Sequence, residues 1–282
     1  MNMEEGFETK MRILVTGGAG FVGSHLVEAL VDRHPVIVLD DFSSGRLTNL
    51  SRVRGHRNLR IVRGTVNDSS LVRVVSKRVD AVFHLAAKIV IPQSLKDPKA
   101  TNRVNVDGTL NLLSASVKNH VRRLIYASSC SVYGRKGAEP IHETQPPSPL
   151  SPYAASKLAA ESYSQAFHEA YGLETVILRY FNVYGPRQIF SPYSNVITRF
   201  IERARKRRPL IVFGNGRQTR DFVFVSDIVR ANLQAMKSDR AVGKVFNVGT
   251  GTATTVSRLA QVVLELFPGT GGPCGSKTAS SR

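Results

Sequence analysis

The first half of the chain alternates short, unbroken apolar runs with longer segments whose apolar positions recur every three or four residues. Arg12–Thr16, Pro35–Asp40, Leu59–Arg63, Ala81–Leu85 and Leu124–Ala127 are runs of strand length. Between them, Phe21–Asp32, Leu71–Lys77 and Ala100–Lys118 carry helical spacing. Strands buried on both faces read as continuous apolar runs, and their alternation with helices predicts βαβ units around a parallel sheet. The Pro-rich stretch Glu139–Pro152 predicts a loop, followed by a long helix over Tyr153–Tyr171 and a strand over Glu174–Tyr180.

After residue 181 the pattern is less regular. Helices are predicted over Asn195–Lys206, Asp227–Lys237 and Val256–Phe267, and strands over Leu210–Phe213, Phe222–Val225 and Lys244–Val248. The expected fold is a Rossmann-type, doubly wound parallel α/β domain over 11–180. Elements of 221–250 return to it, and a smaller C-terminal lobe lies mainly in 181–267. Residues 1–10 and 268–282 lack periodicity and are expected to be flexible tails.

Composition narrows the class. At 282 residues and 42% hydrophobic, the chain can bury a large core, which excludes a disordered or disulfide-stapled protein. Its two cysteines, Cys130 and Cys274, point to a reducing, cytoplasmic setting with no disulfide. No apolar run is long enough to span a bilayer, and the polar, acidic start does not read as a signal peptide. The net charge of +18 is mostly dispersed. Its one dense run, Arg203, Arg205, Lys206, Arg207 and Arg208, reads as the solvated end of a helix, where cations suit the macrodipole. Excess positive charge also suits a phosphate-bearing small substrate. No specific nucleic acid and no membrane are expected as partners.

Candidate chemistry begins where the first strand runs into Gly17-Gly18-Ala19-Gly20-Phe21-Val22-Gly23 and opens a helix. Gly17, Gly20 and Gly23 serve a tight turn, a close backbone approach to a pyrophosphate, and tight helix–strand packing. The helix N-terminus then offers N–H donors to the phosphates. Asp40, ending the second strand, can accept from adenosine ribose hydroxyls and would repel a 2′-phosphate, favouring NAD over NADP. Arg46 pulls the other way, but Asp40 and Asp41 together outweigh it.

Tyr153 and Lys157 stand four apart on one helix and so are neighbours. A phenol with an ordinary pKa of about 10 must drop by roughly three units to act as a base near neutrality. The expectation is that the Lys157 ammonium and a positive nicotinamide ring supply that drop. Ser128 and Ser129 follow an apolar strand, at the carboxyl end where ligands bind in such sheets. His84 reads as packing beside the cofactor, and Cys130 as a pocket-wall residue. No metal-ligand spacing is present, so no metal is expected.

The sequence here resembles the extended short-chain dehydrogenase/reductases that act on nucleotide sugars, and within them the UDP-glucose (UDP-galactose) 4-epimerase group. The resemblance runs from Met11 to Phe267. It rests on the glycine turn, His84-Leu85-Ala86-Ala87, Asn105-Val106-Asp107-Gly108-Thr109 and Ser128-Ser129-Cys130-Ser131-Val132-Tyr133-Gly134. It continues through Tyr153 with Lys157, Arg179-Tyr180-Phe181-Asn182-Val183-Tyr184-Gly185-Pro186-Arg187, and Arg220-Asp221-Phe222-Val223. It implies that Gly17, Gly20, Phe21, Val22 and Gly23 hold the NAD pyrophosphate. Asp40 would bind the ribose, lined by Asp41, Phe42, Ser43, Ser44 and Gly45. Val66, Asn67 and Asp68 would sit by the adenine. Leu85, Ala86, Ala87 and Lys88 would pass along the cofactor, with Asn105 behind the nicotinamide, Ser128 beside it, and Tyr180 and Phe181 bordering it. Ser129, Tyr153 and Lys157 would be catalytic: Ser129 bonds the sugar hydroxyl, Tyr153 is the base, and Lys157, also in cofactor contact, tunes it. Asn182, Asn195, Val196 and Arg220 would hold the sugar nucleotide, together with Ser129 and Tyr153. A homodimer would pair through 100–118 and 153–171.

The resemblance also implies a reaction. Siblings that eliminate water carry an Asp-Glu pair after the catalytic Ser or Thr, and decarboxylating siblings a Glu two residues after it. Here Cys130 and Ser131 occupy those positions, and neither is a carboxyl acid. The expectation is therefore inversion at C4 of a UDP-hexose through a transient 4-keto sugar and bound NADH, a step of galactose metabolism. Against the family pattern the substrate-binding lobe looks truncated, which removes the residue that sizes the C2 substituent. A UDP-N-acetylglucosamine or UDP-glucuronate 4-epimerase, and a catalytically weak NAD-binding or RNA-binding protein of the same fold, stay open as alternatives.

Overall fold

The computed structural model describes residues 10–135, 140–189, 195–270 and 274–276. They fall into two compact units: one takes the chain up to Tyr180 together with Ser226–Val248, the other Phe181–Val225 together with the chain from Gly249 onward.

The first unit is built on seven strands: β1 (Ile13–Thr16), β2 (Val36–Asp40), β3 (Leu59–Arg63), β4 (Ala81–His84), β5 (Arg123–Ser129), β6 (Glu174–Tyr180) and β7 (Val245–Val248). They lie in the order β7-β6-β5-β4-β1-β2-β3, and every pairing is parallel. Every residue of β1, β2 and β4 is buried, which is why these segments carry no polar alternation. Leu14, Val82, Leu112, Leu124 and Ile177 belong to one apolar cluster that extends from these strands onto the flanking helices. Strand order reverses between β1 and β4, so their carboxyl ends, Thr16 beside His84, mark the switch point where such sheets bind ligands.

The long helix runs over Pro152–Tyr171. Ser151 caps it by accepting from the Ala154 N–H at 3.2 Å, and Pro152 supplies the fixed φ of a first helical residue. Gly172, at φ +68°, ends it in the left-handed conformation. The predicted helix over Ala100–Lys118 is present and contains a π-bulge. It divides into Pro98–Asn102, a π-turn over Arg103–Asp107, and Gly108–Lys118. Asn105 lies within the π-turn, and its side chain bonds both Lys88 and Ser156.

In the second unit, strand Phe222–Phe224 pairs in parallel with Asn182–Tyr184 rather than returning to the large sheet. What returns is the helix Val225–Lys237, from Ser226 on, and β7. Helices Val196–Arg205 and Val256–Leu266 share a small core of Phe200, Ala204, Leu210, Val212, Ala260 and Val263. The basic run closes the first of these helices, with Arg203 and Arg205 in its last turn. Cys274–Ser276 forms a short strand parallel to Ile211–Phe213. That corrects the expectation of an unstructured segment there: the open edge of Ile211–Phe213 satisfies backbone groups that no side-chain pattern announced. Residues 271–273 and 277–282 of the expected tail, and the start, 1–9, lie outside the described residues.

Candidate active site

The glycine turn is shaped by what glycine lacks. Gly17 takes φ +71°, and a Cβ there would stand 2.8 Å from the Ala86 nitrogen at the end of β4. A Cβ on Gly23 would collide with the Gly17 carbonyl oxygen. The helix Phe21–Val31 that follows has Gly20 as its N-cap, with no side-chain cap and no acid in its first turn. Its leading N–H groups therefore keep no side-chain acceptor, as an anion site requires.

Asp40 is buried at the carboxyl end of β2. One carboxylate oxygen accepts from the Ala19 N–H at 2.9 Å and the other from Phe42 at 2.8 Å. Burial raises its pKa, and those two N–H bonds oppose the rise. A carboxylate has about four acceptor sites, so capacity is left for two ribose hydroxyls. Gly45 closes over it: a Cβ there would lie 2.8 Å from the Asp40 carboxylate. Phe42 sits at φ +59°, and Asp41 accepts from the Ser43 N–H. The cradle fits a dinucleotide.

A second group of residues surrounds the helix face that carries Tyr153 and Lys157. Both side chains are buried. Lys157 Nζ donates to the Ala127 carbonyl at 2.7 Å and lies 4.9 Å from the centroid of the Tyr126 ring. Burial drops its pKa to about 7, against the opposing pull of the Glu161 carboxylate. Tyr153 hydrogen-bonds Ser129, yet burial pushes it up to about 12, with Cys130 acting in the same sense. Desolvation is the largest influence on both groups, and one of the three Lys157 N–H donors is engaged by Ala127. Ser129 Oγ also accepts from Ser131, from its N–H at 3.2 Å and its hydroxyl at 2.9 Å.

Other expected residues take definite places. His84 is fully buried between Thr16 Oγ1 at 2.7 Å and Thr109 Oγ1 at 2.9 Å. Thr109 donates to the Asn105 carbonyl, so the proton shared with His84 belongs to Nε2. Burial holds this imidazole neutral, its pKa down to about 3. Asn105 accepts from Lys88 N and donates to Lys88 O and Ser156 Oγ, tying the end of β4 to the long helix. Asp68 caps the helix Ser69–Val75, and Asn111 donates to the carbonyls of Val66 and Asn67. The Tyr180 hydroxyl is exchanged with the Asn232 amide inside the first unit.

Ser128, expected beside the cofactor, turns its hydroxyl to another partner. It is buried with its hydroxyl on Glu161, which also receives Arg179. Glu161 and Arg179 had no role in the sequence reading. The signal was present, because Tyr153, Lys157 and Glu161 stand at successive steps of four on one helix.

In the second unit, Asn195 caps the helix Val196–Arg205 and donates to the Val183 carbonyl at 3.2 Å. Asp221 accepts from Thr250 and Gly251, while its carbonyl accepts from Asn182. Arg220 is exposed. Among the described residues no group of three or more His, Cys, Asp or Glu is placed to hold a metal ion, and no helix is long and apolar enough to cross a membrane.

A switch-point glycine cradle beside a Ser/Tyr/Lys cluster defines a dinucleotide-dependent enzyme. The sequence model of the NAD dependent epimerase/dehydratase family matches residues 13–249, and the chain belongs to that family. It is 40% identical to a UDP-glucose 4-epimerase of Mycolicibacterium smegmatis over 252 residues, 88% of this chain and 80% of that one. It is 36% identical to human dTDP-D-glucose 4,6-dehydratase over 262 residues, 91% of this chain and 74% of that one. The solved UDP-N-acetylglucosamine 4-epimerase of Methanobrevibacter ruminantium M1, in complex with UDP-N-acetylmuramic acid, superposes with a TM-score of 0.92 at 37% identity. That match covers 98% of this chain and 88% of the other.

Proposed function

We propose that this enzyme inverts C4 of a UDP-hexose, interconverting UDP-glucose and UDP-galactose. Identity does not separate the epimerases from the dehydratases, since the former stand between 33% and 40% and the latter between 34% and 36%. The observation that carries the reading is the chemistry after Ser129. Cys130 offers a thiol, and the Ser131 hydroxyl is turned back onto Ser129. The resemblance implies that water-eliminating relatives carry an Asp-Glu pair at these places, and neither side chain here is a carboxylic acid.

When bound, NAD supplies the acceptor and donor of hydride at C4 and, through its positive ring, an electrostatic pull that favours the phenolate. The backbone of Gly17–Gly23 would hold its pyrophosphate and Asp40 its adenosine ribose. Tyr153 takes the proton from the sugar O4 and returns it after the 4-keto sugar has presented its other face. Ser129 holds that oxygen. The two proton transfers cancel, so one protonation state of Tyr153 serves both directions. Asn182, Asn195, Val196 and Arg220 are assigned to the sugar nucleotide. A homodimer through 100–118 and 153–171 and a cytoplasmic setting belong to the same proposal.

Incubation with UDP-galactose tests it, with UDP-glucose as the expected product. Formation of a 4-keto-6-deoxy sugar would replace this reading with a dehydratase.

A further inference from the structure

Glu161 is 2% exposed and is paired with the Arg179 guanidinium. Arg179 meets it with two groups: Nε lies 3.0 and 3.2 Å from its two oxygens, and Nη2 2.6 Å from Oε2. Arg179 Nη1 is in turn held by the Tyr133 hydroxyl at 2.7 Å. The remaining contact of Glu161 is the Ser128 hydroxyl. Ser128 sits between two residues of the proton-handling cluster: the Ala127 carbonyl seats Lys157, and Ser129 bonds Tyr153.

We infer that Glu161 is a positioning residue: anchored by Arg179, it clamps Ser128, fixes the strand end that seats Lys157 and Tyr153, and sets its charge one helical turn from Lys157. A purely structural ion pair would not need this third contact, and it could face any part of the core. Here the carboxylate lies on the same helix stripe as the phenol and the ammonium. Its consequence for turnover rests on the proposed epimerisation; its action on Lys157 does not.

The titratable groups around Glu161 are Lys157 on its own helix, Arg179 on β6, Tyr126 on β5, and Tyr133 acting through Arg179. Lys157 additionally faces His84 from β4. Among these, Glu161 is the group that favours the ammonium, so its neutralisation must release the Lys157 proton more easily.

The test is a pH titration of the intact chain carrying 13Cε-labelled lysine, followed by NMR. The Lys157 signal is assigned by its loss in Lys157→Met. In the wild type its midpoint is expected at about 7. Glu161→Gln should lower it by about one unit, and Glu161→Asp, which keeps the charge but withdraws it by one methylene, by less. The alkaline limb of kcat/KM should move with it, whereas a merely structural lesion would lower the rate without moving the limb. If Glu161→Gln fails to fold, Glu161→Asp carries the test. A Lys157 midpoint that stays within about 0.2 units of wild type in the variant that folds overturns the inference. Absence of epimerisation by the wild type would instead overturn the functional reading, leaving the Lys157 titration to stand.

Discussion

The glycine cradle and the Tyr153 cluster occupy the same unit, and they are built on opposite principles. The cradle works by missing atoms: at Gly17 and Gly23 a single Cβ would strike the backbone that must pass there. Its donors are backbone N–H groups, and its buried carboxyl group, Asp40, is held by two more of them. The cluster works by buried side chains. Tyr153, Lys157, Glu161 and Arg179 are all less than a tenth exposed. Burial displaces the phenol upward and the ammonium downward, so each is easier to neutralise than in water. A cradle of this kind adds little strain to the fold, whereas buried charge burdens stability for the sake of reactivity.

The comparison is most exposed at Tyr153. Tyr153→Phe should lower epimerisation by about 10³-fold, the scale of a lost general base, while NAD binding stays intact. Substantial residual turnover, read from UDP-galactose conversion, would mean another base. Next comes the ion pair. Arg179→Met strands the Glu161 carboxylate in the core and should cost about 3–5 kcal/mol in urea unfolding. A cost below about 1 kcal/mol would show that water reaches Glu161.

Lys157→Met tests whether reactivity burdens the fold. The folded Lys157 has its pKa near 7, below the unfolded value of 10.5, so between those pH values the unfolded chain binds the extra proton. Stability contributed at this site therefore rises as pH climbs from 7 towards 10.5, and the penalty is complete below 7. Lys157→Met should thus stabilise the protein at pH 6 by roughly 2–4 kcal/mol, abolish turnover, and lose its advantage near pH 10. Above pH 10 the raised phenol of Tyr153 adds the opposite slope.

On the cradle side, Gly17→Ala must force a Cβ into a left-handed residue and should cost about 1–3 kcal/mol, read as weaker NAD binding or a lower Tm. The Lys157 titration should not move. The smallest effect is expected at Asp40. Asp40→Asn keeps the size and the acceptor oxygen but loses the charge, and should narrow the preference for NAD over NADP by about tenfold.

These two regions were not equally legible. Gly17–Gly23 between a strand and a helix, with Asp40 ending the next strand, declares its geometry locally, because a glycine turn is set by its own φ angles and near neighbours. The same holds for the β1–β6 runs, whose apolar continuity follows from burial on both faces. The Tyr153–Lys157 spacing put both side chains on one helix face but carried no sign of how deeply each is desolvated. Where the ammonium goes depends on the Ala127 carbonyl thirty residues earlier, and how far the phenol is desolvated depends on everything packed over it. Asn105 sits in a π-bulge that the apolar spacing did not announce, and it bonds Lys88 and Ser156, 17 and 51 residues away. Phe222–Phe224 found its partner in Asn182–Tyr184.

The sequence alone therefore determined the sheet, the glycine cradle and the helix face shared by Tyr153 and Lys157, because periodicity and glycine conformations act over a few residues. Only the tertiary structure decided which proton each group keeps and which side chain ends against which. Desolvation and charge pairing belong to contacts between β5, β6 and the long helix, and those contacts exist only once the chain has folded.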